Sequence, residues 1–499
     1  MPKDKPVVEK RKGKLAETIA ETIKKDIIAM GWPVGKILGN EPQLQERYSV
    51  SRATIREAIR QLERHGVASM RRGKLGGLMI EQPAEISAVL ALSTYLELAN
   101  ISIDELFEAR NVIECMALEQ AGARLPEHEL QRAQDFIEAL RDPEPLEFSE
   151  EMSLHTQIRN FLRDTATNPA TALTLDALYY ITIHDLPPRA TKKDVEKTLR
   201  DARRIRRQVL EALVGGDADS AKHFQRELLA VGEWLVRKQL KGSDSDASSG
   251  LVRLQVSPNN PINEIFNKTA QRLSLTIIQS IRKMRLNPGD HLGTEPELQE
   301  RYKVSRAVLR ESLRILELHC ILISKRGYGG GLVISNPLPD YTVNIVVSYL
   351  QYYDFSTHYF FEVWKTLQLA TSKMAAERIT PAGKKRLEML LAREQSANPK
   401  EYLTAMRDLE IAISDLSGNR PMALFAQVLS RMALNYPLGE LPKGVIGPLS
   451  VAHEKSVKAI AAGEAGLARR AMSQYLEQLS AFYRPEVRDK WPATIQKKS

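Results

Sequence analysis

The 499-residue chain contains little cysteine and no long apolar run. Its two cysteines, Cys115 and Cys320, have no zinc-binding or redox partner nearby in sequence, which argues against a disulfide framework and indicates a reducing, cytoplasmic compartment. No stretch approaches the roughly eighteen uninterrupted apolar residues of a membrane helix, so no membrane partner is expected. The basic N-terminus leads into an amphipathic pattern and not into the apolar core of a signal peptide.

Positive charge is abundant and is concentrated in two places. The chain has a formal net charge of +9. Residues 1–82 contain 17 Lys and Arg against 10 Asp and Glu, and residues 259–334 contain 12 against 7. These two segments carry more than the whole net charge, and such a local excess is typical of contact with nucleic acid.

The same two segments are copies of one another. "YSVSRATIREAIRQLE" recurs as "YKVSRAVLRESLRILE", with Ser51 and Ser305 254 positions apart. Residues 38–80 align with 292–334 without a gap, and roughly 25 of the 43 positions are identical. A repeat this long indicates duplication of a whole multi-domain unit rather than a solenoid. Between the copies, residues 241–258 are rich in Ser, Asp and Gly and are predicted to be a flexible linker.

Each copy is predicted to hold three helices followed by a hairpin. The first helix is predicted by apolar residues at fourfold spacing, namely Leu15, Ile19, Ile23 and Ile27. Asn40 and Thr294 are suitable N-caps for the second helix, and Thr294 with Glu297 has the pattern of a capping box. The third helix is predicted to begin at Ser51 or Ser305, with its buried face at Ile55, Ile59, Leu62 and at Leu309, Leu313, Leu316. Apolar runs around a basic, Gly-rich tip then predict a β-hairpin, which completes a winged helix-turn-helix.

This arrangement favours DNA binding, because a recognition helix carries base-directed side chains at its N-terminal end and an apolar back. Arginines on a single amphipathic helix usually form only a solvated face. Here, however, the helix cap, the arginine spacing and the basic hairpin occur together, and they do so in both copies. The DNA-binding residues predicted from this pattern are Ser51, Arg52, Thr54, Arg56, Arg72, Gly73 and Lys74, and, in the second copy, Ser305, Arg306, Val308, Arg310, Arg326 and Gly327. Val308 replaces Thr54, so we expect the two copies to read unequal half-sites.

The segment "EPQLQERYSVSRATIREAIRQLERHGV" resembles the winged-helix domain of the GntR family of bacterial transcription regulators. The resemblance covers each copy from first helix to wing. It implies DNA contacts at the first-copy residues Ser51, Arg52, Thr54, Arg56, Arg72 and Gly73 and at their counterparts in the second copy. One departure concerns the start of the second helix. Many family members have a DNA-contacting arginine there, where this chain has Pro42 and Pro296.

After each wing, the pattern of about 150 residues predicts amphipathic helices. "ELFEARNVIE" and "VAHEKSVKAIAAGEAGLARRAMSQYL" are similar to helices of the effector-binding domain of the FadR-like (FCD) subgroup. We therefore predict a mainly α fold class, with two winged helix-turn-helix domains that are each followed by an all-α helical-bundle domain. The predicted segments are a winged helix at 1–82, an FCD-like domain at 83–240, the linker at 241–258, a second winged helix at 259–336 and a second FCD-like domain at 337–487.

Many members of that subgroup hold a divalent metal with an Asp and three His. The matching positions here are His155, Arg159, Arg206 and Leu228, and in the second half Met406, Glu410, His453 and Tyr475. These sets do not suit a cation, so no metal and no other cofactor is expected. The resemblance instead implies an effector pocket in the first half with Arg110, His155, Arg159 and Arg206, in which Arg110 would bind a carboxylate. In the second half, His453 is the candidate effector residue, and Trp364 stands at the position of Arg110. Both histidines are interpreted as solvent-facing or hydrogen-bonded residues, and Arg110 as either a pocket residue or a surface arginine.

Taken together, the patterns predict a bacterial transcription regulator that is not an enzyme. Its partners would be a double-stranded DNA operator and a small effector. Its halves would form an intramolecular pseudo-dimer, and a higher homo-oligomer stays compatible with the sequence. The alternative is an architectural or plasmid-maintenance DNA-binding protein without an effector. An aminotransferase-like enzyme is disfavoured because the helical domains are too short and no lysine lies in a cofactor-binding pattern.

Overall fold

The computed structural model describes residues 6–73, 76–99, 101–142, 144–182, 191–240, 269–284, 286–318, 321–325, 331–335, 339–353, 356–435 and 443–482. These ranges are mostly helical with five short strands, which confirms the predicted mainly α fold with winged helices. None of the helices in them is both long enough and apolar enough to cross a membrane. The predicted linker at 241–258 lies outside the described residues.

The first winged helix consists of three helices and a hairpin. Its elements are α1 (Pro6–Ala29), α2 (Glu41–Tyr48), α3 (Arg52–Arg64) and the antiparallel strands β1 (Ala68–Arg71) and β2 (Gly77–Ile80). The Asn40 side chain accepts the N–H of Gln43, whose side chain accepts the N–H of Asn40. Ser51 Oγ accepts the N–H of Thr54 at 3.2 Å. The predicted N-caps of α2 and α3 are therefore confirmed.

The second winged helix repeats this order with one added strand. Its elements are α11 (Thr269–Lys283), β3 (His291–Gly293), α12 (Glu295–Tyr302), α13 (Arg306–Leu318), β4 (Leu322–Lys325) and β5 (Gly331–Ile334). The predicted capping box is present, with the N–H of Thr294 donating to Glu297 Oε2 at 2.8 Å. Strand β3 pairs with β5 and was not predicted. In the first copy the corresponding contact is a single bridge between Ile37 and Met79.

The apolar faces predicted for the third helices are confirmed. Ile55, Ile59 and Leu62 lie in the core of the first winged helix. The core of the second contains their counterparts Leu309, Leu313 and Leu316. Because this face of each third helix is buried, its N-terminal arginines are directed toward solvent.

Two groups of seven helices follow the winged helices. The first group, the first helical unit, is α4 (Glu85–Leu98), α5 (Ile103–Arg124), α6 (Glu127–Ala139), α7 (Phe148–Ala166), α8 (Pro169–Thr182), α9 (Lys192–Val214) and α10 (Ala218–Leu240). The second group, the second helical unit, is α14 (Pro339–Tyr352), α15 (Thr357–Glu377), α16 (Pro381–Ser396), α17 (Pro399–Leu416), α18 (Arg420–Asn435), α19 (Lys443–Ala461) and α20 (Ala465–Phe482). The predicted helical character of both regions is thus confirmed.

Each winged helix packs against the helical unit of the opposite half. Trp32 of the first winged helix makes an edge-to-face contact with Tyr352 of α14, with 5.7 Å between ring centroids. The Tyr341 hydroxyl, also on α14, donates to the Arg64 carbonyl at 3.4 Å. Leu90 of α4 lies in the core of the second winged helix in return. The halves are therefore crossed, and their orientation depends on contacts made between them.

One apolar core runs through both helical units. It contains Leu92 of α4 and Leu173 of α8 from the first unit, together with Val346 of α14 and Phe425 of α18 from the second. Helix α4 also packs directly on α14. Burial of apolar surface is the main favourable contribution to such packing, so the two units form one continuous body.

Candidate functional site

The N-terminal turn of α3 presents two arginines to solvent. The Arg52 side chain is 71% exposed and the Arg56 side chain is 56% exposed. Arg52 Nε donates to Glu41 Oε1 at 2.6 Å, and Arg56 Nε lies 3.4 Å from Glu41 Oε2. One carboxylate at the start of α2 therefore orients both guanidinium groups without burying them.

The second winged helix places its arginines in the same way. Arg310 Nε donates to Glu295 Oε2 at 3.0 Å, and Glu295 occupies the place of Glu41 at the start of α12. Arg306 is exposed at the start of α13, and Ser305 Oγ accepts the N–H of Val308 at 3.3 Å. Both copies thus present a matched pair of exposed arginines beside a serine cap.

Thr54 does not lie on the exposed face, contrary to the sequence-based expectation. It is 8% exposed, and its hydroxyl lies 2.9 Å from Ser51 Oγ. Its side chain folds back because the third residue after an N-cap faces the capping side chain. Val308 is half-buried against the core of its own domain. The difference between Thr54 and Val308 therefore changes the packing beneath the first turn of the third helix more than its solvent-exposed face.

The tip of the first wing is only partly within the described residues. Arg72 and Gly73 are exposed, and Gly73 has a φ of +119°, which favours glycine. A Cβ on Gly76 would lie 2.3 Å from the Arg71 carbonyl oxygen, so the turn needs glycine there. The predicted residues Lys74, Arg326 and Gly327 lie outside the described ranges.

Four of the five predicted effector residues are in the first helical unit. Arg110 Nε donates to Glu114 Oε1 at 2.6 Å, and its guanidinium lies over the Phe107 ring. Arg159 donates to Asp176 at 2.7 Å and lies 3.9 Å from the centroid of the Tyr179 ring. Arg110 is only 15% exposed. It is therefore not a surface arginine, although its charge is already paired.

His155 and Arg206 lie deeper in the same unit. Nε2 of His155 is 2.7 Å from Oε1 of Glu151, whose other oxygen accepts a hydrogen bond from the buried Arg203 at 2.6 Å. Burial, together with the nearby Arg206 charge, lowers the pKa of His155 to about 4. Burial also lowers the pKa of Arg206 to about 10. Arg206 Nη1 is buried without a hydrogen-bond partner among the described residues, which leaves a donor for a ligand.

His453 lies in a separate buried cluster within the second helical unit. Its Nδ1 is 2.7 Å from Glu394 Oε2, and its ring stacks on Tyr475 with 4.3 Å between centroids. The Tyr475 hydroxyl donates to Glu410 Oε1 at 3.0 Å, and the Tyr402 hydroxyl donates to Glu394 Oε1 at 3.2 Å. His453, the candidate of the second half, thus lies apart from the other four predicted effector residues. His155 and His453 are both buried, so neither faces solvent. The hydrogen-bonded interpretation fits His453, whose Nδ1 is paired with Glu394.

Glu394 and Tyr402 were not predicted as members of this cluster. They belong to α16 and α17, and nothing in their local sequence indicates that they meet His453 of α19. The signal that was available is weak, namely an acidic residue on a helix face that is otherwise apolar. Trp364, which stands at the position of Arg110, limits the rise in the pKa of Glu410 and so also contributes to this cluster.

The metal-binding positions of the FadR-like subgroup do not fit a cation in either half. In the second unit, two of the four positions are Met406 and Tyr475, and Tyr475 bonds to Glu410 while Nδ1 of His453 bonds to Glu394. In the first, Arg159 and Arg206 contribute positive charge where a metal would need lone pairs. Across the described ranges, no group of three or more His, Cys, Asp or Glu could hold a metal ion.

Three segments match models of known protein families. Residues 15–74 and 269–331 match the gntR family of bacterial regulatory proteins, and residues 360–478 match the FCD domain. Each of the two winged helices therefore contains a segment that is similar to the gntR family. The segment that is similar to the FCD domain lies within the second helical unit. The FCD-like character of residues 83–240 and the domain boundaries stay predictions.

Relatives of known name align with somewhat less than half of this chain. The Uxu operon regulator of Haemophilus influenzae is 26% identical over 240 residues, which are 46% of this chain and 85% of the relative. The putative L-lactate dehydrogenase operon regulatory protein of Escherichia coli is 28% identical over 233 residues, covering 41% and 84%. The HTH-type transcriptional regulator LutR of Bacillus subtilis is 26% identical, covering 42% and 99%. A solved structure described as Streptococcus agalactiae GntR covers 42% of this chain and 99% of its own, with 21% identity and a TM-score of 0.34.

The buried Glu410 should make the stability of the second helical unit depend on pH. Burial raises the pKa of Glu410 to about 7, above that of a carboxyl group in an unfolded chain. Between these two pKa values the folded chain holds a proton on Glu410 that the unfolded chain has already released. Stability should therefore fall as the pH rises from about 4.5 to about 7. We expect Glu410→Gln to remove part of this loss, so that thermal unfolding scans show a smaller decrease in Tm over that window.

The matched control is Glu388→Gln, because Glu388 is exposed on the neighbouring helix α16. This variant should keep the pH dependence of the unaltered chain. An unchanged pH profile for Glu410→Gln would contradict the assignment.

Proposed function

We propose that the chain is a sequence-specific DNA-binding transcription regulator whose two GntR domains read one operator as an intramolecular pseudo-dimer. The observation that carries this proposal is a set of reciprocal contacts between the two helical units. In a twofold interface, if residue i contacts residue j of the partner, then residue j contacts residue i in return.

The first reciprocal pair consists of arginine–glutamate contacts. Arg124, at the end of α5, donates to Glu362 of α15. Arg378, after the end of α15, donates to Glu108 of α5. Glu108 and Glu362 are 254 positions apart, as are Arg124 and Arg378. This is also the offset between the two winged helices, so equivalent residues make equivalent contacts.

A second pair involves two buried asparagines. Asn168 Nδ2 donates to the Tyr359 carbonyl at 3.1 Å and to Glu362 Oε2 at 3.0 Å. Asn419 Nδ2 donates to the Glu105 carbonyl at 2.9 Å and to Glu108 Oε2 at 3.1 Å. A fully hydrogen-bonded buried network of this kind specifies one relative orientation of the two units. Such an interface supports the use of two winged helices at a fixed separation.

The DNA-binding surface is proposed to consist of the predicted residues on the recognition helices and wings. Arg52, Arg56, Arg306 and Arg310 would contact base edges or phosphates in the major groove. The serine caps would contact the backbone, and the wings would contribute Arg72, Gly73 and Lys74 together with Arg326 and Gly327. Thr54 and Val308 would act by shaping the helix start.

Removing one recognition arginine should weaken operator binding. We expect Arg52→Ala and Arg306→Ala each to cost roughly 1–3 kcal/mol of specific binding free energy. The measurement is fluorescence anisotropy with an operator selected from a random DNA library. Arg204→Ala is the control, because Arg204 is exposed on α9 in the first helical unit. Normal binding by both arginine variants would contradict the placement of the recognition helices.

The pseudo-dimer predicts one chain per operator. Light scattering coupled to size-exclusion chromatography should therefore give a complex of one chain and one duplex. Two chains on a single operator would contradict the proposal.

A charge exchange tests the interface itself. Arg124→Glu should weaken operator binding by bringing two carboxylates together, and adding Glu362→Arg should restore part of the affinity. The same exchange at Arg141 and Glu138, an exposed pair within the first unit, should have little effect. A double variant no better than Arg124→Glu would argue against the reciprocal contact.

The first helical unit is proposed to bind a small carboxylate effector. The unpartnered Nη1 of Arg206 and the nearby positive charges support this proposal, since a carboxylate accepts two hydrogen bonds from a guanidinium. An architectural protein without an effector is the second candidate. It is not favoured, because the chain contains an FCD domain.

A panel of mono- and dicarboxylates should contain a ligand that raises the Tm of the full chain. We expect Arg206→Gln to abolish that shift, and Arg204→Gln, on the exposed side of the same helix, to retain it. A shift that survives in Arg206→Gln would place the ligand elsewhere. Effector-dependent release from DNA would distinguish the regulator from an architectural protein.

A further inference from the structure

A groove follows the contact between α5 and α15, where the two helical units meet. Its volume is about 790 Å³. Its walls come in equivalent pairs separated by 254 positions, such as Val112 and Thr366, or Cys115 and Leu369. Helix α10 packs on α5, helix α20 packs on α15, and both contribute cationic side chains to the groove.

The duplication has not kept the two ends of this groove alike. "GDADSAK" ends at Lys222 and "GEAGLAR" ends at Arg469, which makes these two residues equivalent. At the Lys222 end, acidic residues balance the charge, because Lys222 Nζ lies 2.9 Å from Asp219 and 3.8 Å from Glu119. In the other copy a lysine, Lys373, replaces Glu119, and a glycine replaces Asp219.

The Arg469 end contains a cleft of about 550 Å³, and none of the described residues that line it is acidic. Its lining residues are Asn111, Arg226, Lys373, Ala465, Gly466, Arg469 and Arg470. Arg226, Arg469 and Arg470 are exposed, and in the part of the chain that the structure describes none of them forms an ion pair with a carboxylate. Lys373 is 3.6 Å from Glu377, which lines the main groove.

Three arginines without an ion-pair partner among the described residues therefore share this cleft with Lys373, and the resulting positive potential favours an anion. Two further features of the cleft favour an anion. Ala465 and Gly466 form the first turn of α20, an 18-residue helix whose N-terminal end carries partial positive charge. Asn111 contributes an uncharged hydrogen-bonding side chain from the opposite unit.

We propose that this cleft binds a small polyanion bearing phosphate groups, held between Arg226 of the first helical unit and Lys373, Arg469 and Arg470 of the second. Arginine forks match phosphate oxygens in pairs, whereas a single carboxylate would neutralise only one of the three arginines that lack an ion-pair partner in the described ranges. Because the cations come from both units, the bound anion ties one unit to the other. This site is distinct from the carboxylate pocket proposed around Arg206.

Inorganic pyrophosphate is a suitable probe, and isothermal titration of the full chain at low salt is the measurement. We expect about one pyrophosphate per chain, and affinity that falls as salt is added. Arg226→Ala and Arg469→Ala should each weaken binding about tenfold, which corresponds to about 1.4 kcal/mol. A thermal unfolding scan of each variant without ligand shows that it is folded.

Lys222→Ala is the matched control, since it removes the equivalent cation from the other end of the groove. It should change the affinity less than twofold, and Arg206→Gln should leave it unaltered. No binding at millimolar pyrophosphate, two equal sites per chain, or an equal loss in Lys222→Ala would overturn the proposal. So would weaker operator binding by Arg469→Ala in the absence of pyrophosphate, which would assign these cations to the DNA interface.

Discussion

An arginine at the end of one long helix reaches a glutamate on the equivalent helix of the other half, and the chain makes this contact in both directions. The approximate twofold relation between the halves is most evident in two ion pairs, Arg124 with Glu362 and Arg378 with Glu108. These pairs are partly buried, and the carboxylates also accept hydrogen bonds from Asn168 and Asn419. Desolvated charges need such complete partnering, because a buried charge that loses its partner is costly. The interface therefore tolerates only one orientation of the two helical units.

The positions of the winged helices follow from that orientation. Helices α4 and α14 lie side by side at the centre, and each winged helix rests on the helical unit that belongs to the opposite half. A movement within one helical unit would therefore reach the winged helix of the other half first. Under the proposed function, a ligand that moves helices of either unit would therefore change the distance between α3 and α13.

Features that depend on a few neighbouring residues could be predicted from the sequence. The N-caps at Asn40 and Ser51 and the apolar face of α3 are local, and they agree with the structure. Thr54 was misplaced because its hydroxyl bonds back to its own cap, a choice of rotamer that periodicity does not reveal. Strand β3 and the cluster around Glu394 and His453 depend on residues distant in sequence, and so does the crossing of the halves. The folded chain brings such pairs together, and no local pattern encodes them.

Covalent linkage also changes what a single substitution can do. In a dimer of identical chains, a lysine in place of Glu119 would appear at both ends of the central groove, and both ends would become cationic together. Here the exchange is present once, as Lys373, while Glu119 still pairs with Lys222 at the other end. A tandem chain can therefore keep a symmetric scaffold for holding its two winged helices and still evolve its two halves separately.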